Sequence, residues 1–201
     1  MARKFLDLAL TPSVRRAQAE YYGTKPGASA PGVSRDLLGP DEIEFIEARD
    51  SFYLASVGET GWPYLQHRGG APGFLHVIEP GRLAFADYQG NRQLISTGNL
   101  AANDRVALFL MDYPQRTRLK ILGHARTEDA RKHPALLTRL AAPAIRAKVE
   151  RLFLIEIEAF DWNCPKYITP RFTAPEIEAA VKGLKDRIPQ LEAQLKKQDG
   201  L

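Results

Sequence analysis

Four short polar runs, each at the end of a strand-like stretch or in the turn beside it, carry the side chains suited to holding a small anionic ligand. The first is Gln66-His67-Arg68-Gly69-Gly70. Adjacent glycines leave backbone N–H groups open to close approach, and a neighbouring arginine pairs bidentately with phosphate oxygens. The same Gly-Gly also serves as a plain bend or bulge. The second, Ala86-Asp87-Tyr88-Gln89-Gly90-Asn91-Arg92-Gln93, lies where a strand gives way to a helix. Its amides and Arg92 would face an anion at the helix N-terminus, or Asn91 would be an ordinary cap beside a solvated arginine. The third is Arg116-Thr117-Arg118-Leu119-Lys120. Alternate residues share a strand face, so Arg116, Arg118 and Lys120 would form a cationic wall or a solvated sheet face. The fourth, Asp161-Trp162-Asn163-Cys164-Pro165, combines a stacking surface, an amide that both donates and accepts, and a turn proline; a core tryptophan at a strand end is the simpler alternative.

Other chemistries lack their residues. Cys164 is the only cysteine, which excludes an intrachain disulfide and a multi-cysteine zinc site and agrees with a reducing cytoplasm. No base stands near it in sequence, as a thiol nucleophile would need. His67, His76, His124 and His133 do not fall at metal-ligand spacing, so no metal is expected. There is no G-x-S-x-G, P-loop or G-x-G-x-x-G. The formal net charge is +4, which favours anionic small molecules. The basic residues are interspersed, and the aromatic residues do not alternate with them, so a nucleic-acid partner is not expected. The first residues form neither a secretory apolar core nor a membrane span, so a cytoplasmic protein is expected.

The elements that must position these runs follow from periodicity. With 201 residues, 44% apolar and 26% charged, the chain has the composition of one globular domain large enough to bury a sizeable core. Residues 1–50 read as an N-terminal helical extension with an irregular connection. A helix is expected over Thr11 to Tyr22 with Ser13 as cap; a Gly/Pro/Ser-rich stretch follows, then a helix from Pro40 to Asp50. From Ser51 the pattern becomes β: SFYLASVG and YLQHRGG as a hairpin, then LHVIE and RLAFADY joined by Pro80-Gly81. A short helix is expected between Gly90 and Asn103, capped by Asn91. VALFLMDY and RTRLKILGHART follow as strands about a turn at Pro114-Gln115, then a helix from His133 to Val149 broken near Pro143, then a long final strand RLFLIEIEAFDWN. Short antiparallel strands joined tightly suit a small barrel. Residues 173–201 read as a C-terminal helix opened by a Thr173/Glu176 capping box. Its Ile177, Val181, Leu184, Ile188, Leu191 and Leu195 make a heptad seam, which lies on its own domain or pairs across a dimer, and Pro189 kinks it.

Taken together, the RGG after a hairpin, LAFADYQGNRQ, NDRVALFLMDYPQRTRLKILGHAR and FDWNCP resemble the pyridoxamine 5′-phosphate oxidase-like family of FMN-binding split barrels. The resemblance runs from Phe52 to Phe172 and is most specific from Phe85 to Ala125. It implies an α+β, mainly β fold over residues 51–172: a six-stranded antiparallel split β-barrel with flanking helices and a long C-terminal helix. It also implies a homodimer with FMN at the subunit interface and a small-molecule substrate. Arg68, with Gly69 and Gly70 beside it, looks like the start of the family's first FMN motif. Asn91 and Arg92 look like the Ser-Arg pair of the second, and Arg118 takes the place of a flavin-contacting glutamine. Ala86, Asp87 and Tyr88 lie in the ring-side stretch, while Trp162 and Asn163 resemble the C-terminal contacts near the ring. Gly73 and Gln93 stand where the oxidases carry lysines, and the Arg-x-His substrate element with which the oxidases end is absent after the final strand. The implied activity is FMN-dependent transfer of a hydride or electrons between a small organic substrate and an acceptor. The redox chemistry is the flavin's, so no side chain is assigned a catalytic role. Two other readings share the cleft: a flavin or haem storage protein, and a deazaflavin-dependent reductase.

Overall fold

Alternation of buried and exposed side chains sets in at Ser51, and the chain forms strands wherever it persists. The structure, a computed structural model, describes residues 3–23, 34–162 and 165–198. Seven strands, β1 (Ser51–Val57), β2 (Pro63–Gly69), β3 (His76–Glu79), β4 (Arg82–Tyr88), β5 (Arg105–Asp112), β6 (Thr117–Asp129) and β7 (Val149–Trp162), form one antiparallel sheet. Their order is β2-β1-β5-β6-β7-β4-β3. The sheet therefore has seven strands rather than the six expected, and it is not closed. The Pro80-Gly81 turn folds the four-residue β3 back onto β4, with His76 opposite Ala84. After β2 the chain stays beside the start of β1: Gly70 N–H donates to the Asp50 carbonyl at 2.8 Å and Gly73 N–H to the Arg49 carbonyl at 3.1 Å.

Although open, the sheet is rolled. In the strand order β1 and β4 are four places apart, which in a flat sheet would separate them by about 19 Å. Instead the rings of Phe52 and Phe85 meet edge to face with centroids 5.4 Å apart, and Phe85 stacks on Phe153 at 4.7 Å. Phe52, Leu54, Leu108, Leu110, Leu119, Ile121, Phe153 and Ile155 are fully or almost fully buried inside the roll. Ile46 of α3 (Pro40–Glu47) packs into the same core. The opposite faces of β4 and β7 bury Ala84, Ala86, Leu152 and Leu154 with Leu140 of α5 (Pro134–Leu140). That second contact explains the nearly continuous apolar runs of those two strands.

The long strands β6 and β7 shift register between Leu122 and Gly123. A Cβ on Gly123 would lie 2.5 Å from the Glu156 carbonyl oxygen, so only glycine permits this approach. Nothing in the local sequence marks it.

The helices depart from expectation at their ends. α1 (Arg3–Ala9) precedes the expected leading helix, which is α2 (Pro12–Tyr22). Its cap is Thr11, whose Oγ1 accepts from Val14 N–H at 3.4 Å, not Ser13, because Pro12 fits the first helical position. α4 (Ile95–Ala102) begins later than Asn91, since Arg92 (φ 59°) and Leu94 (φ 54°) are left-handed. The Asn91 side chain accepts from Gln93 N–H at 3.2 Å and so closes a turn instead. Arg116 (φ 53°) lies in the turn before β6 and does not share a strand face with Arg118 and Lys120. The helix expected from His133 to Val149 is α5 and α6 (Pro143–Arg146), and Val149 opens β7. α7 (Ala174–Gln198) carries the capping box: Glu176 Oε2 accepts from Thr173 N–H at 2.7 Å, and Thr173 Oγ1 from Glu176 N–H at 3.4 Å. Among the described residues no helix is long and apolar enough to cross a membrane.

Gly123→Ala should cost about 1–3 kcal/mol by forcing β6 off β7, read as a lower urea midpoint. An unchanged midpoint would mean that the bulge absorbs a methyl group.

Candidate functional site

The edge strand β2 turns Tyr64, Gln66 and Arg68 inward, while Leu65, His67 and Gly69 point out. Arg68 lies over the Phe153 ring at 4.8 Å and the Phe85 ring at 5.6 Å. Its Nη1 donates to Asp87 Oδ1 on β4 at 2.8 Å. Because β2 and β4 are five places apart in the sheet order, or about 24 Å if flat, this ion pair bridges the open side of the roll. Asp87 Oδ2 accepts from Arg151 Nε at 3.0 Å, and Arg151 Nη2 donates to Glu150 Oε2 at 3.0 Å. Glu150 Oε1 in turn lies 3.6 Å from Arg92 Nη2. Three guanidiniums and two carboxylates thus alternate, with a cation at each end. The Nε of Arg68 is buried without a hydrogen-bond partner among the described residues.

The N-terminus of α4 faces the same chain. Ser96 donates to Gln66 Oε1 at 2.8 Å and Asn99 to Ser56 Oγ at 3.0 Å, which moors the helix to β2 and β1. Its first internal bond runs from Gly98 N–H to the Leu94 carbonyl at 2.8 Å, so the amides of Ile95, Ser96 and Thr97 lie outside the helix's own bonding. With Gln66, Arg68, Arg92 and Gln93 these residues line a cavity of about 110 Å³. A second cavity, of about 190 Å³, lies on the other side of Arg68 and Asp87, against Gly69, Phe74, Phe85, Ala86 and Tyr88. A third, of about 660 Å³, shares Arg92 and Arg151 and is walled by Glu128, Asp129 and Arg131. The fork of Arg131 on Asp129 holds that carboxyl well below the usual carboxylate range, and the Arg126 hydrogen bond lowers Glu128. The wall of the third cavity is therefore charge-balanced. Such a constellation of amides and guanidiniums can grip a phosphate.

The fold brings Arg68, Gly69, Ala86, Asp87, Tyr88, Asn91 and Arg92 together in the two smaller cavities. Gly70 sits just beyond them with its amide committed to Asp50, and a Cβ there would lie 2.7 Å from Phe74 Cβ, so packing requires this glycine. Gly73 has φ +82°, and a Cβ on it would lie 3.2 Å from the Glu47 carbonyl oxygen, which disfavours a lysine at that position. Gln93 does line the smallest cavity. Arg118 and Trp162 lie apart. Arg118 pairs with Met111 and reaches over Phe109 at 6.0 Å. Trp162 donates Nε1–H to Glu42 Oε1 at 2.6 Å and meets Phe45 edge to face at 4.8 Å. From Arg151 to Trp162 along β7 is about 36 Å. Asn163 and Cys164 lie outside the described residues. Sequence reasoning missed Glu150 and Arg151, and it held Gln66 in the first polar run without giving it a role of its own. Arg151 reads as a solvated strand charge, and only the register that sets it opposite Asp87 brings it in. Among the described residues there is no cluster of three or more metal-ligating side chains.

A family model described as Pyridoxamine 5′-phosphate oxidase matches residues 40–162. The chain belongs to the pyridoxamine 5′-phosphate oxidase family. The matched span holds all seven strands and every described residue of the cavities; α1, α2 and α7 fall outside it. Among solved structures, HupZ of Group A Streptococcus aligns with a TM-score of 0.50 at 11% identity, over 67% of this chain and 100% of that one. General Stress Protein 26 from Bacillus anthracis aligns at 0.48 with 16% identity, over 66% and 95%. An FMN-binding protein from Syntrophomonas wolfei aligns at 0.42 with 10% identity, over 62% and 87%. No curated protein sequence matches the chain.

Asp87→Ala would leave Arg68 and Arg151, whose side chains are 15% and 20% exposed, without their shared partner. The expected loss is about 3 kcal/mol of unfolding free energy, measured in urea. A loss below about 1 kcal/mol would class the bridge with ordinary surface pairs.

Proposed function

We propose that the protein is a homodimeric FMN-dependent oxidoreductase that passes a hydride or electrons between a small organic substrate and an acceptor. The observation that carries this reading is the arginine–carboxylate chain running from Arg68 to Arg92 around the N-terminal amides of α4. FMN's phosphate would sit in the 110 Å³ cavity on those amides. Arg92, 66% exposed and held by a 3.6 Å contact to Glu150, can turn onto it, and Arg68 lines the same cavity. When bound, the flavin supplies the redox chemistry. The chain's own residues bind and orient it: Asn91 and Gln93 beside the phosphate, Asp87 and Tyr88 towards the ring, and Phe74 and Phe85 as an apolar wall that excludes water.

The two cavities, at about 110 and 190 Å³, are each smaller than the roughly 300–1,000 Å³ of a typical ligand pocket. A second copy would complete the site by bringing its own Arg118 and Trp162 end to the flavin ring. Tyr53 and Leu65, exposed on the outer sheet face, support such a contact. The charge-balanced wall of the 660 Å³ cavity adds no net attraction for a longer anionic tail, which favours FMN over a deazaflavin.

The test is an absorption spectrum of the purified protein before and after adding FMN, followed by reduction with nicotinamide donors. Flavin bands near one per subunit with turnover support the reading. Binding without turnover points to a carrier, and failure to take up FMN overturns the cofactor. Arg92→Ala should remove one charge-assisted phosphate contact, about 1.5–3 kcal/mol or roughly 10- to 150-fold in FMN affinity, measured by fluorescence titration. Unchanged affinity would remove Arg92 from the site.

A further inference from the structure

The helix α7 presents its apolar side chains to solvent: Leu184 is 69% exposed, Ile188 54% and Leu195 58%. The matched family span ends at residue 162, so this helix belongs to the chain and not to the shared core. The seam residues Ile177, Val181, Leu184, Ile188, Leu191 and Leu195 alternate steps of four and three, which puts Val181, Ile188 and Leu195 at heptad position a and Ile177, Leu184 and Leu191 at d. The central positions, Val181 and Ile188 at a with Leu184 and Leu191 at d, follow the pattern that favours two parallel strands, while Ile177 and Leu195 at the ends depart from it. Pro189 falls at b, so its ring lies off the seam, and the kink it makes recurs at the same level in both helices of a parallel, in-register pair.

The flanking charges choose the orientation. Position e holds Glu178, Lys185 and Glu192, and g holds Ala180, Arg187 and Gln194. In a parallel pair each g residue faces the e residue five places on in the other helix, which sets Arg187 against Glu192 twice by symmetry and opposes no like charges. In the antiparallel pair that overlaps the whole seam, e faces e and g faces g. Lys185 would then meet its own copy, Arg187 its own copy, and Glu178 would meet Glu192. Every charged contact there is repulsive. We propose that α7 pairs with the α7 of a second copy of this chain as a parallel, in-register two-stranded coiled coil. The two-fold axis of such a pair runs along the helices, so one contact suffices for a closed dimer. This inference rests on α7 alone and holds whether or not a flavin binds.

The test uses the full chain with Cys164→Ser as background and one added cysteine at Leu184→Cys, incubated in a glutathione redox buffer at low micromolar protein. In the parallel register the two added thiols face each other, and most of the chain should run as a covalent dimer. Asp186→Cys, on the outer surface, should stay monomeric on the same gel. Adding Glu192→Arg to Leu184→Cys should lower the equilibrium constant for cross-linking by about tenfold, and Arg187→Glu on top of it should restore it. No covalent dimer from Leu184→Cys, with helix content retained by circular dichroism, would overturn the pairing. Cross-linking that requires Leu184→Cys and Ile188→Cys together would overturn the parallel orientation.

Discussion

The ion pair between Arg68 and Asp87 is the constraint on which the rest of the structure depends. A seven-stranded sheet with two free edges has no backbone hydrogen bonds to hold it rolled, yet Phe52 of β1 touches Phe85 of β4 across the interior. The aromatic core supplies the attraction. The Arg68 guanidinium, lying on Phe85 and Phe153 and reaching Asp87, carries that attraction to the open side. A cation placed over apolar rings is costly unless paired, and here Asp87 is shared with Arg151 and so tied to β7 as well. The residues that hold the roll shut are therefore the ones that would receive an anion. A bound anion and the stability of the roll would draw on the same charges.

Backbone geometry accounts for one difference between this chain and the pattern it resembles, the glycine at position 73. Gly73 bends through a left-handed conformation to donate to Arg49, a path that a side chain would strain. Gly70 is required by Phe74 and Gly123 by the Glu156 carbonyl. Left-handed Arg92 and Leu94 delay the start of α4, and this delay turns its first amides and Arg92 into the same small cavity.

The length of β6 and β7 sets the second large feature. These strands carry Arg151 at one end and Trp162 at the other, so the residues grouped by the resemblance fall into two sets that one chain keeps apart. The apolar seam of α7 is turned outwards, beyond the sheet that these strands build.

Local pattern was enough to place all seven strand segments, the α3 start at Pro40, the Thr173/Glu176 cap and the heptad seam, because period, caps and turn residues act over a few neighbours. It was also enough to gather Arg68, Asp87 and Arg92 as candidates, since each sits at a strand end in a polar run. The expected strand count fell one short although each segment was visible, because whether a four-residue strand pairs depends on what lies beside it. The roles of Arg151, Glu150 and Gln66, the separation of Arg118 from Arg68, and the need for Gly123 were decided by the tertiary structure alone. Each depends on pairing register or on a contact between residues far apart in the chain, which no local pattern encodes.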